Sequence, residues 1–170
     1  MSELTNATEL LEHVRGRYHG KYRGEVVEVD EKTMRVKALV PAVLGGQSTG
    51  WCSPCVPYAG PQVGFAFLPE AGSGVWIEFE AGDLSFPVWT GCFWHEGEVP
   101  PEAKANVKAI VTGGGHKLTL DGDTPNLVLT DSHGNKVTLD SAGITLERGS
   151  MKVVVSDSKV DVNSGALEVT

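Results

Sequence analysis

Basic charge is what this 170-residue sequence is short of: Lys and Arg number 14 against 22 Asp and Glu, leaving a formal charge of −8. A surface of that sign repels a phosphate backbone and releases no counterions from it, so no nucleic acid is expected as a partner. Long apolar runs are absent as well. None approaches the roughly 20 residues of a membrane span, and residues 1–15 are too acidic and polar for a secretory signal. The chain is therefore expected to be made in the cytoplasm, to meet no membrane as a free protein, and to reach any exterior site as part of an assembly. Cysteine is scarce: of Cys52, Cys55 and Cys92 only the first two are close, and no second ligand pair stands at zinc-finger spacing. Helical patterning is nearly confined to residues 3–15, where Leu4, Leu10, Leu11 and Val14 form a narrow stripe that Gly16 stops.

What is present points to strands. Twenty-one glycines and nine prolines supply many turns between Val- and Thr-rich segments, which suits a mainly β chain better than an α/β enzyme. From Tyr22 the apolar period becomes two, and the turn formers Asp30-Glu31-Lys32 predict a hairpin that returns through Val40. Pro54 and Pro57 permit residues 51–58 only as an edge or bulged strand. Two further strands are predicted over residues 74–80 and 86–94, with Gly82-Asp83 turning between them. Five short strands with glycine-rich corners predict a small OB-type barrel over residues 19–96, preceded by a helical arm over 1–18. Pro100-Pro101 makes 97–116 a stiff linker, with Gly113-Gly-Gly115 as its joint.

Beyond it, two apolar residues flank a third one seven times: Leu118 and Leu120, Leu127 and Leu129, Val137 and Leu139, Ile144 and Leu146, Val153 and Val155, Val160 and Val162, Leu167 and Val169. Turn formers such as Asp121-Gly122, Ser141-Ala-Gly143 and Asn163-Ser-Gly165 fill the gaps, so each unit is one strand and one turn. One short strand per repeat leaves strand edges and an apolar face that a lone chain does not satisfy. Burying those side chains also falls short of the entropy lost in ordering the arm. Three copies around a common axis would pair the edges between chains and bury all these residues, which are the expected trimer core. A meander within one chain is the other arrangement that the turns allow.

The stretch Leu68-Pro-Glu-Ala-Gly-Ser-Gly-Val-Trp-Ile-Glu-Phe-Glu-Ala-Gly-Asp83, with Phe86-Pro-Val-Trp-Thr-Gly-Cys-Phe-Trp94, resembles the barrel of the phage baseplate assembly protein V and VgrG spike family. Pro69, Gly72, Val75, Phe79, Gly82, Asp83, Pro87, Val88 and Gly91 occupy that family's marked positions. Asp131-Ser-His-Gly-Asn135 ahead of Val137 and Leu139 is similar to the first coils of its spike. The resemblance implies a structural homotrimer with no enzymatic activity and no cofactor: an OB-type barrel followed, over 117–170, by an intertwined triple-stranded β-helix. Such a spike transmits contraction force through a phage tail, or an extracellular or secretion injection particle, to pierce a target envelope. Some relatives carry a lysozyme domain between barrel and needle, but residues 96–116 leave no room for one. Little precedes the barrel, so a separate hub protein is implied at that end. A PAAR-like tip protein is implied at the other, against Leu167, Val169 and Thr170, and the lack of histidine in 165–170 speaks against a metal-bearing apex.

Groupings that mimic chemistry are weighed against this. Trp51-Cys-Ser-Pro-Cys55 looks like a thioredoxin motif, yet that chemistry needs the first cysteine at a helix N-terminus, and Val56-Pro-Tyr-Ala-Gly-Pro61 cannot form one. Carboxylates are scattered on turns, and no nucleophile, base or phosphate cradle stands in a fitting context. No catalytic, metal or cofactor-binding residue is therefore expected. The alternative to a spike is an OB-type binding module that grips oligosaccharide or another ligand through Trp51, Trp76, Trp89 and Trp94.

Overall fold

Alternation in the first strands produces the hairpin that starts the fold. In the computed structural model, which describes residues 16–170, β1 (Tyr22–Asp30) pairs antiparallel with β2 (Arg35–Leu39), with a bulge between Val26 and Glu28. The helix expected over residues 3–15 lies outside the described residues. The chain divides into two compact units, Met1–Glu98 and Val99–Thr170.

The first unit also holds β3 (Ser53–Pro54), β4 (Ala59–Gly60), β5 (Val63–Gly64), β6 (Gly74–Phe79) and β7 (Pro87–Phe93). Its sheet runs β2-β1-β6-β7-β3, so the proline-interrupted strand is a short one at the end of the order, where a missing N–H is tolerated. The two ends are then sewn together. The Cys52 N–H donates to Val36 O at 2.8 Å, Thr49 N–H to Ala38 O at 2.9 Å, and the Ala38 N–H to the buried Thr49 Oγ1 at 3.0 Å. Closure removes the open edges that a five-stranded sheet would expose. The core is Val26, Val36, Ala38, Val40, Cys52, Val75, Ile77, Phe79 and Trp89, none more than 5 % exposed. The Trp89 ring satisfies its one donor within that core, at 3.1 Å from Met34 O.

The second unit is one sheet of eight strands: β8 (Val107–Val111), β9 (Lys117–Asp121), β10 (Asn126–Thr130), β11 (Asn135–Asp140), β12 (Gly143–Arg148), β13 (Met151–Val155), β14 (Val160–Val162) and β15 (Leu167–Val169). Every strand pairs antiparallel with its neighbours in sequence. Two expectations are corrected here. The strand edges are paired within the chain, because each turn is tight enough to return the backbone beside the strand it has just left. Residues 107–111, read as linker, form the first strand of the sheet, and Gly113-Gly-Gly115 belongs to the β8–β9 turn, closed by the Thr112 N–H on His116 O at 3.0 Å.

Gly143 opens β12 at φ +127°, and a Cβ there would meet Val155 O at 2.0 Å. Strand β13 therefore lies where only glycine lets it approach. Gly143→Ala is expected to force β12 and β13 apart and to lower stability by about 1–3 kcal/mol, read as an earlier midpoint in guanidinium unfolding.

An uncovered apolar face as the candidate functional site

Register turns the repeat into a surface. Across the ladder, Leu118 stands opposite Leu129, then Val137, Leu146, Val153, Val162 and Leu167 follow in one row. Leu120, Leu127, Leu139, Ile144, Val155, Val160 and Val169 form the second row beside it. Side chains two apart in a strand share a face, so the two rows make one continuous apolar face. The residues between them, among them Thr119, Thr138, Thr145 and Asp161, point to the other face. Val128 and Val154 are the apolar exceptions there.

This face has no cover in the protomer. Among the described residues, every buried side chain belongs to the barrel, and the second unit has none. Leu139 is 40 % exposed, Leu129 50 %, and Leu167 and Val169 59 % each. A concavity of about 560 Å³ lies on the same side, walled by Leu129, Val137, Leu146, Met151, Val153 and Val162. A contiguous apolar surface of this extent marks an interaction site. Sequence reading missed its continuation: Ile110 pairs with Leu118 and extends the first row, 42 % exposed. The prolines ahead of it masked this strand, in which Ile110 and Lys108 fall on the row face and Val107, Ala109 and Val111 on the other.

The margin of the face is polar and ordered. The Asn135 side-chain amide donates to Asp131 Oδ2, the Arg148 guanidinium donates to Asn135 Oδ1 at 3.1 Å, and the backbone N–H groups of His133 and Asn135 both donate to Asp131 Oδ1 at 2.8 Å. That amide, followed by the backbone donors and by His133, holds the Asp131 carboxyl down at about 2 against an ordinary 3.8. On the opposite face Lys117 pairs with Glu102, whose carboxyl is lowered chiefly by that lysine.

The barrel motif positions build structure. Pro69, Val75, Phe79, Gly82 and Pro87 are buried, and Val88 is half-buried on β7. Gly72 turns at φ +89°, its N–H bonded to Val26 O at 2.8 Å. Gly91, at φ +143°, supplies the extra residue of the β6–β7 bulge opposite Trp76. Asp83 caps its turn through the Ser85 N–H at 2.9 Å and pairs with Arg17 at 3.5 Å.

Cys52, the first cysteine of the thioredoxin-like stretch, lies in the core with its sulfur 3.2 Å from Thr49 Oγ1. Burial pushes its thiol up, the setting of an inert cysteine. Among the described residues, no group of three or more His, Cys, Asp or Glu is placed to hold a metal ion. Three tryptophans already have partners: Trp89 in the core, Trp76 under Arg23 at 5.0 Å, and Trp51 under Lys37 at 4.6 Å. Leu167 and Val169 lie on β15, the last strand of the sheet, with Thr170 following it.

Because the Asn135 amide is the main cause of the Asp131 shift, Asn135→Ala is expected to raise that carboxyl from about 2 toward 3.8, read by NMR titration of the side-chain carbon. The folded form has the lower pKa, so the stabilisation is complete above pH 3.8 and is lost as pH falls through about 2. Comparison with known families agrees with both units. Residues 22–94 match the type VI secretion system and phage-baseplate injector OB domain. Residues 107–168 match the phage baseplate V C-terminal trimerisation domain. Comparison with curated proteins gives no match. An OB-type barrel joined to a trimerisation sheet, each matched over nearly its whole length, places the chain in the baseplate V and VgrG-type family of spike proteins.

Proposed function

We propose that this chain is the homotrimeric central spike of a contractile tail or injection machine, and that it works mechanically. The observation that carries this reading is a 72-residue unit, Val99–Thr170, in which no described residue is buried although two rows of Leu, Ile and Val line one face. A single sheet layer with one apolar face needs a second layer to make a core. Three copies supply it to one another, each contributing one wall of a needle with the fourteen row residues inside. Backbone pairing along each wall, together with a dry core between the walls, resists bending and compression under the thrust of contraction. That work requires no catalytic group, and the matched families are structural baseplate domains.

The needle occupies 117–170 with β8 joined to its base, and residues from 97 to β8 connect it to the barrel. A separate hub protein docks at the barrel end. At the far end β15 is an edge strand with Leu167 and Val169 exposed, and open edges of that kind recruit a capping partner. A PAAR-like tip protein fits there, over Leu167, Val169 and Thr170. The spike is made in the cytoplasm and assembled into the virion or injection particle.

Light scattering is expected to give about three times the 18.1 kDa chain mass at micromolar concentration, and a monomer would sink the proposal. Leu139→Asp sets three carboxylates together in the core, where burying unpaired charge costs several kcal/mol each. It is expected to yield monomers, while Thr138→Asp on the opposite face leaves the trimer intact. Thr170→Asp, just beyond β15 and outside the two rows, should weaken pull-down of the tip protein at least tenfold with the trimer mass unchanged.

A further inference from the structure

The barrel carries a second apolar feature that none of this explains. Between β3 and β6 the chain projects a hairpin, β4 with β5, whose turn is Pro61-Gln62 with Gln62 at φ +61°. Its backbone is ordered: Ala59 pairs with Gly64, Gly60 with Val63, and the Phe65 N–H donates to Tyr58 O at 2.9 Å. Val56 and Leu68 at its feet pack on the barrel core. Everything between residues 57 and 67 is exposed, including Tyr58 at 54 %, Val63 at 51 %, Phe65 at 55 % and Phe67 at 54 %. The Phe65 and Phe67 rings stack on each other at 6.2 Å. From Ser53 to Pro69 there is no charged residue, in a chain of net charge −8. A two-stranded hairpin with its large side chains in water is marginal by itself, and an exposed cluster of this kind marks a contact surface.

We infer that this hairpin docks on the barrel of the neighbouring protomer, so that the three barrels form a closed ring; the inference rests on the trimer proposed above. Three observations select a second copy as the occupant. Residues 94–106, which join β7 to β8, reach no further than about 45 Å when fully extended, so trimerisation holds the barrels at millimolar effective concentration. An uncharged patch is where two strongly acidic copies meet with least repulsion. A threefold interface is heterologous, one patch meeting a different one on the next copy, and the barrel has a second, partly apolar patch. That patch is a groove of about 410 Å³ lined by Pro69, Gly72, Gly74, Cys92, Phe93 and Trp94, with Glu98 at its rim. Trp94 is 62 % exposed, and the Phe93 ring packs on the Gly74 backbone at the floor. Leu68 anchors the hairpin and Pro69 lines the groove, so knob and groove border one another.

The native cysteines provide the test, because Cys55 stands just before the hairpin, Cys92 lies in the groove, and both are exposed. A short bis-maleimide added to the full-length trimer is expected to give dimers and trimers on a denaturing gel, with the Cys55 and Cys92 peptides joined; a link within one chain runs as monomer. Cys92→Ser should abolish the inter-chain products. Phe65→Ser with Phe67→Ser should lower them at least tenfold while light scattering still reports three chains. Inter-chain links that are absent from an intact trimer, or unchanged in the double variant, overturn the docking and leave the hairpin to a different protein. A monomeric native mass instead overturns the trimer reading beneath it.

Discussion

The arrangement of the second unit follows from one constraint: a single β-sheet has two faces, and only one of them here suits water. Antiparallel pairing with sequence neighbours satisfies the backbone between β8 and β15, so away from the two outer edges hydrogen bonding makes no demand for a partner. The apolar face does. Two rows of Leu, Ile and Val run without interruption from β9 to β15, and hydrophobic burial is non-directional, so any apolar layer of matching shape would cover them. Identical walls are the layer that is always present in equal number. The polar margin of Asp131, Asn135 and Arg148 then limits how far the apolar contact spreads, because these groups are already bonded to one another and gain little by leaving water.

The barrel meets the same constraint differently. Its sheet closes through Cys52, Thr49 and their partners on β2, and closure gives it an interior, so its core is complete in one chain. This is why the motif positions that identify the family are structural: buried prolines and apolar residues, a bulge glycine and a turn-capping aspartate. The barrel is self-sufficient, whereas the sheet of the second unit lacks a core of its own. What the barrel leaves over is the Phe65–Phe67 hairpin, apolar where the rest of the surface is acidic.

Much of this was legible in the amino acids. The hairpin at Asp30, the strands around Val75 and Pro87, and the seven apolar pairs all follow from period-two alternation broken by turn formers, a local signal that survives without tertiary context. The strand at Val107 was hidden because Pro100-Pro101 and the three glycines that follow Thr112 dominate its surroundings. The prolines after Cys52 already exclude a helix starting there, but its place in the core depended on barrel closure.

The sequence by itself determined which residues are apolar, how they are spaced and where the chain must turn, since these are properties of a few consecutive residues. Only the tertiary structure decided that each strand pairs with its predecessor in its own chain, and that the apolar pairs align into two rows with no cover. Register and burial are relations between residues distant in sequence, and a repeat of strand and turn is compatible with pairing inside one chain or between three until the turns are built.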